Sequence, residues 1–189
     1  MNYPAELHSY YLSKLGEITA PMSGAVALKT DWWNETRLEI PGAGAIIGKI
    51  PNVAQWYTVE PNEQRIKEAK GLKVEVVKGK LQNVDFPSGS FNLIVCLGTL
   101  NHMGYYSALK TLSGFKSWLR REGKMYLSVW VYSGKSRLVD PETFGERLWH
   151  NATEFEQRLS DLFAIEDRDV VWSTTVEYRP GSLIAYRCS

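Results

Sequence analysis

Apolar residues along this chain recur in two rhythms. Contiguous or alternating apolar runs at residues 37–40, 55–59, 73–77, 91–97, 125–132, 170–178 and 182–187 predict strands, because successive side chains on a strand point to opposite faces of a sheet. The runs 91–97 (Phe-Asn-Leu-Ile-Val-Cys-Leu) and 125–132 (Met-Tyr-Leu-Ser-Val-Trp-Val-Tyr) are apolar at nearly every position, which predicts strands covered on both faces. Between such runs the spacing changes to three and four. Ala108, Leu109, Leu112, Phe115, Trp118 and Leu119 make one helical stripe, and Phe155, Leu159, Leu162 and Phe163 make another. Residues 61–70 read as a helix, with Pro61 in its first turn and Gly71 as its stop. Tyr3, Leu7, Tyr10, Tyr11 and Leu15 are at helical spacing, so residues 1–36 are expected to form a helical segment packed on the sheet or over its mouth.

Strands alternating with helices indicate an α/β fold with a largely parallel sheet. The last two strands have no helix between them and are joined by a turn at Pro180-Gly181, so they must pair antiparallel at one edge. Residues 37–189 are expected to form a single domain behind the 1–36 segment.

Composition narrows the function. Lys and Arg total 22 against 21 Asp and Glu, so no general field draws the chain to nucleic acid or to an anionic membrane. Apolar residues make up 44% of the chain and charged residues 23%, values of a soluble globular protein. Neither a signal peptide nor a membrane-spanning run is legible, and Cys96 and Cys188 are too few for a disulfide framework, so a cytoplasmic protein is expected. No His, Cys, Asp or Glu cluster has metal-ligand spacing. Gly134-Lys135-Ser136 looks like the tail of a phosphate loop, but Val129 stands where the first glycine is required. Asn151-Ala152-Thr153 fits the glycosylation sequon and is read as a chance match.

In an open parallel sheet, ligands bind at the carboxyl ends of the strands, where strand order reverses. The run 37–40 leads into Pro41-Gly42-Ala43-Gly44-Ala45-Ile46-Ile47-Gly48. Small residues there would let the backbone approach a ligand, and a following helix would offer free N–H groups. Glu60 ends the second predicted strand, and a carboxylate at that place can accept two hydrogen bonds from the vicinal diol of a ribose. The plainer reading of Glu60 is an acid that favours the start of a helix. Together the turn and the acid fit an adenosine-type ligand.

From Arg37 to Tyr132 the sequence resembles the class I S-adenosylmethionine-dependent methyltransferases of the small-molecule type. Leu38-Glu39-Ile40-Pro41-Gly42-Ala43-Gly44 stands where that family has an acid and its glycine-rich loop, and Val59-Glu60-Pro61 where it has the ribose-binding acid. Val77-Lys78-Gly79-Lys80-Leu81 and the run Val84-Asp85-Phe86-Pro87-Ser88-Gly89-Ser90-Phe91 resemble its third strand, adenine loop and entry to the fourth strand. Leu97-Gly98-Thr99-Leu100-Asn101-His102 resembles the end of the fourth strand, which faces the methionine part of the cofactor. The resemblance implies a Rossmann-like, seven-stranded, mostly parallel sheet with an antiparallel edge hairpin and helices on both faces. It implies S-adenosylmethionine as cofactor, held by Glu39, Pro41, Gly42, Ala43, Gly44, Glu60, Pro61, Lys80, Leu81, Leu97, Gly98 and His102. Three positions depart from the family pattern: Pro41 replaces a glycine, Lys80 an acid that reaches the adenine amino group, and Asn92 an aspartate.

The Asn/Asp-Pro-Pro-aromatic signature of amino methyltransferases is absent at 97–100, which argues against DNA, RNA and release-factor substrates and for a small-molecule acceptor. His102 is the histidine nearest the predicted cleft and the candidate catalytic base, with a cofactor-adjacent structural role as the plainer reading. Tyr10, Tyr11, Tyr105 and Tyr106 are candidate pocket aromatics. Two rivals stand beside the methyltransferase: a non-catalytic or regulatory relative, and an NAD(P)-dependent oxidoreductase. The latter has a glycine spacing, Gly42-x-Gly44-x-x-x-Gly48, one residue too long.

Overall fold

A computed structural model of the chain describes residues 6–32, 35, 45–134, 137–139, 147–176 and 179–189. After helix α1 (Leu7–Thr19) come strands β1 (Ala25–Lys29) and β2 (Val53–Glu60), helix α2 (Glu63–Glu68), β3 (Val74–Lys78), β4 (Phe91–Leu97), α3 (Tyr105–Trp118) and β5 (Leu119–Tyr132). A short hairpin of β6 (Arg137–Val139) and β7 (Arg147–Asn151) precedes α4 (Ala152–Leu162), β8 (Ile165–Val176) and β9 (Arg179–Cys188).

The order β3-β2-β1-β4-β5 is parallel throughout, and β9 then runs antiparallel between β5 and β8. These seven strands are the expected sheet with its antiparallel edge. The β6–β7 hairpin adds two more, giving nine among the described residues. Strand β7 pairs parallel with Val131 and Tyr132, beyond the point where β4 stops at the Leu97–Ser128 pair.

Period-two alternation sorts the core. Leu28, Ile94, Cys96, Leu127, Val129 and Val131 face one way and pack with Leu112, Phe115 and Trp118 of α3 and Phe155 and Leu159 of α4. Ala27, Leu93, Val95, Tyr126 and Trp130 face the other way and meet Leu7, Tyr11, Leu15 and Ile18 of α1. Both faces are covered, which is why β4 and residues 125–132 of β5 are apolar at almost every position, whereas Arg120, Arg121 and Glu122 at the start of β5 are exposed. The N-terminal helix therefore lies on the sheet face. Tyr11 Oη donates to Ser128 Oγ at 3.1 Å and Tyr10 Oη to Asp169 at 2.5 Å, which docks the helix on β5 and β8.

Three sequence expectations change. The strand seated between β2 and β4 is β1, Ala25–Lys29, rather than residues 37–40, which lie outside the described residues. The helix expected after the glycine-rich stretch is not formed by the described residues 45–52. Gly48 and Asn52 adopt left-handed φ of 76° and 63°, and Pro51 has no N–H, so the chain turns there into β2. Pro180 and Gly181 lie within β9, since Val176 already pairs with Arg179. Pairing of β9 with β5 ends at Gly181, so Pro180 sits where β9 has one neighbour and its missing N–H is tolerated.

Candidate functional site

Because β1 to β5 are parallel, their carboxyl ends share one edge, and the order reverses between β1 and β4. Glu60 ends β2 at that edge and is 2% exposed. Its Oε1 accepts the Asn62 N–H at 2.8 Å, while Oε2 faces Arg65 Nη1 at 3.8 Å. The helix-opening role is thus partly real, though the cap of α2 proper is Asn62, whose Oδ1 accepts the Gln64 and Arg65 N–H groups. Pro61 follows, exposed, before the cap.

After β3, Gly79 donates its N–H to the Glu60 carbonyl at 3.2 Å, which draws this loop to the end of β2. Lys80 is exposed and leads into a 3-10 turn, Leu81–Asn83, whose Leu81 is buried at 5%. Leu97 and Gly98 are half-buried at the end of β4. Gly98 has φ 74°, and a Cβ built on it would meet nothing within 4 Å, so the space above this strand end is open. His102 is exposed and closes the next 3-10 turn, Thr99–His102. The structure therefore gathers Glu60, Pro61, Lys80, Leu81, Leu97, Gly98 and His102 along one edge. Glu39, Pro41, Gly42, Ala43 and Gly44 lie outside the described residues.

The fold adds residues that the sequence pattern did not single out. Lys29, at the end of β1, is a buried lysine bound to Asp31 and Glu35 at 2.9 and 3.2 Å. Burial alone would push its ammonium pKa down, but the two carboxylates outweigh that and raise it. Asn101, 1% exposed, pairs both ways with the backbone of Trp130, accepting its N–H at 2.9 Å and donating to its carbonyl at 3.0 Å. The side chain stands in for a strand between the end of β4 and the start of the β7 pairing. It also fixes the turn that carries His102.

His150 of β7 is 1% exposed, with the rings of Phe155 and Tyr105 at 5.0 and 6.3 Å. Burial pushes its pKa down to about 4, with the Leu100 backbone acting in the other direction. Tyr105 is half-buried and Tyr106 exposed at the start of α3. Asn92 acts at the opposite end of β4: its Oδ1 accepts from the Val26 N–H at 3.0 Å and Arg120 Nη1 at 3.1 Å. An amide oxygen thus serves where the family has an aspartate.

Other groups stay silent. Cys96 and Cys188 are buried free thiols, each pushed up to about 12 by burial, which removes thiolate chemistry near neutral pH. Asn151 of the sequon caps α4 through the Glu154 N–H at 2.8 Å. Among the described residues no three His, Cys, Asp or Glu side chains group for a metal, and no helix is long and apolar enough to cross a membrane.

A family model described as a methyltransferase domain matches residues 38–127. An uncharacterized protein of Methanocaldococcus jannaschii is 24% identical over 111 residues, covering 58% of this chain and 44% of that protein, so the chain spans less than half of that relative's length. The fold matches the Burkholderia thailandensis 1,6-didemethyltoxoflavin-N1-methyltransferase, solved with bound 1,6-didemethyltoxoflavin and S-adenosylhomocysteine. That match has a TM-score of 0.61 and 16% identity, over 97% of this chain and 80% of that one. It also matches the [4+2]-cyclase SpnF with a TM-score of 0.65 and 13% identity, over 94% of this chain and 80% of the other. The domain match covers just under half of the chain, and together with the strand order it makes the chain similar to the class I S-adenosylmethionine-dependent methyltransferases.

Proposed function

We propose that this protein binds S-adenosylmethionine at the carboxyl edge of its sheet and methylates a small molecule. The observation that carries this reading is the common edge at which Glu60, Leu81 and Gly98 end β2, follow β3 and follow β4, beside the β1/β4 reversal. The residues there suit the group. Glu60 Oε2 has one long ionic contact, so its lone pairs can accept a ribose diol, and the bare Cα of Gly98 opens onto free space. When bound, the cofactor supplies a methyl group activated on a sulfonium.

The chain's own residues bind and orient. Glu60 holds the ribose, and Leu81 offers an apolar wall and backbone groups to the adenine. The family resemblance assigns Glu39, Pro41, Gly42, Ala43 and Gly44, which lie outside the described residues, to the amino-acid end of the cofactor. His102, exposed on the turn that Asn101 fixes, is the candidate to take a proton from the acceptor. Balanced charge and the absent amino-methyltransferase signature support a small acceptor over nucleic acid.

A second reading, a relative that keeps the fold and does no methyl transfer, draws on Lys80, a donor where the family has an acceptor. The cyclase among the structural neighbours shows how loosely this fold binds its reaction. The dinucleotide oxidoreductase is disfavoured by its glycine spacing, Gly42-x-Gly44-x-x-x-Gly48, which is one residue too long for the usual fingerprint.

Calorimetric titration with S-adenosylmethionine and S-adenosylhomocysteine tests the proposal. Binding is expected, and Glu60→Ala should weaken it by about 1–3 kcal/mol. No heat and no thermal shift at millimolar cofactor would defeat the reading.

A further inference from the structure

The turn after β4 and the segment that leaves the glycine-rich stretch are joined through one buried lysine. Lys29 Nζ lies 2.9 Å from Asp31 Oδ1, 2.9 Å from the Asp31 carbonyl and 3.2 Å from Glu35 Oε1. Each acid spends its other oxygen on a different part of the chain. Glu35 Oε2 accepts the backbone N–H groups of Ile46 and Ile47 at 3.0 and 2.8 Å. Asp31 Oδ2 accepts from the Thr99 hydroxyl, which opens the 3-10 turn after β4 and also meets Thr30 Oγ1 at 2.7 Å. The Lys29 side chain is 5% exposed and that of Glu35 2%, so solvent does little to screen the group.

We infer that Lys29 is a positioning residue that couples two segments at the carboxyl edge of the sheet, holding Ile46–Ile47 through Glu35 and the Thr99–His102 turn through Asp31. The inference rests on the reading of that edge as the cofactor site. Its logic is charge arithmetic: one ammonium bridges two carboxylates that would otherwise repel each other in a poorly screened place. Without it Glu35 has less reason to stay where it receives the two amides, and residues 45–47 follow directly on the stretch 41–44 expected to meet the ligand.

The test uses the whole chain and two independent readouts, backbone hydrogen exchange at Ile46 and Ile47 and calorimetric affinity for S-adenosylmethionine. Lys29→Met should speed exchange at both amides and weaken cofactor binding, each by about tenfold or more. Lys29→Arg, which keeps the charge, should bring both back to within about threefold of the parent chain. A folded Lys29→Met with parental exchange at both amides overturns the inference. Should Lys29→Met fail to fold, Thr99→Val decides: it removes the far link to Asp31, and the Thr30 contact with it, and leaves Lys29 and Glu35 in place. Faster exchange at Ile46 and Ile47, remote from the substitution, supports the coupling, and unchanged exchange refutes it. If the parent chain gives no heat with the cofactor, the proposed function fails, while the exchange measurement still judges the coupling by itself.

Discussion

Two lysines in this fold each stand between two acids, and they teach opposite lessons. Lys29 joins Asp31 and Glu35 with side-chain exposures of 5%, 24% and 2%. Lys14 of α1 joins Asp167 and Asp169 of β8 at 3.5 and 3.0 Å, with exposures of 26%, 37% and 38%. The chemistry is the same and the surroundings differ. Around Lys14 water already solvates each charge, so pairing adds little beyond docking the helix, helped by the Tyr10 hydroxyl on Asp169. Around Lys29 and Glu35 water has been removed, so these two charges depend on one another.

Removing Lys29 is the harshest way to break the comparison. Lys29→Met removes the ammonium that Asp31 and Glu35 share and should lower unfolding free energy by about 3–5 kcal/mol in denaturant titration. A loss below about 1 kcal/mol would show that the network is effectively solvated.

His150 sharpens it, being a buried group with no acid at hand among its described neighbours. Burial raised no objection to charge at Lys29 because carboxylates answered it; at His150 burial drives the pKa down from 6.5 to about 4. The fold therefore holds the neutral ring, and the unfolded chain takes up the proton first. Stability is fully present above about pH 6.5 and falls as pH drops toward 4, by about 3 kcal/mol at 1.36 kcal/mol per pKa unit. Over that window the stability of His150→Phe should change less than that of the parent chain. Parallel curves would mean that the ring is protonated in the fold.

The mildest change is Lys14→Met, which should cost under about 1 kcal/mol, with the difference shrinking at high salt. A larger cost would make the α1–β8 seam as critical as the end of β1.

Much of the fold was legible because it depends on local pattern. The strands Phe91–Leu97 and Met125–Tyr132 declare burial on both faces residue by residue, and the stripe from Ala108 to Trp118 declares α3. The place of Glu60 at the end of β2 was legible because a lone acid at a strand end is a positional signal. Strand β1 was missed because Ala25-Val26-Ala27-Leu28-Lys29 is short, rich in alanine and closed by a lysine. Its place comes from the larger side chains of the neighbouring strands, which single-residue propensity does not see. Lys29 was missed for the same reason: a lysine reads as surface until Asp31, Glu35 and the covering layers meet around it. The β6–β7 hairpin has too few residues for a period, and Asn101 carries no sequence mark of its bond to Trp130.

Strand β1 has one more consequence, in the order of assembly. Its residues pair with β2 through Ala25–Val53 and with β4 through Ala27–Leu93, so both neighbours lie far along the chain. Helix α3 and the β8–β9 hairpin, by contrast, close over short loops. A search for distant partners costs chain entropy before any contact rewards it, which makes the seating of β1 a slow event in folding. The strand least visible in the sequence is thus the one on which the folding rate should turn.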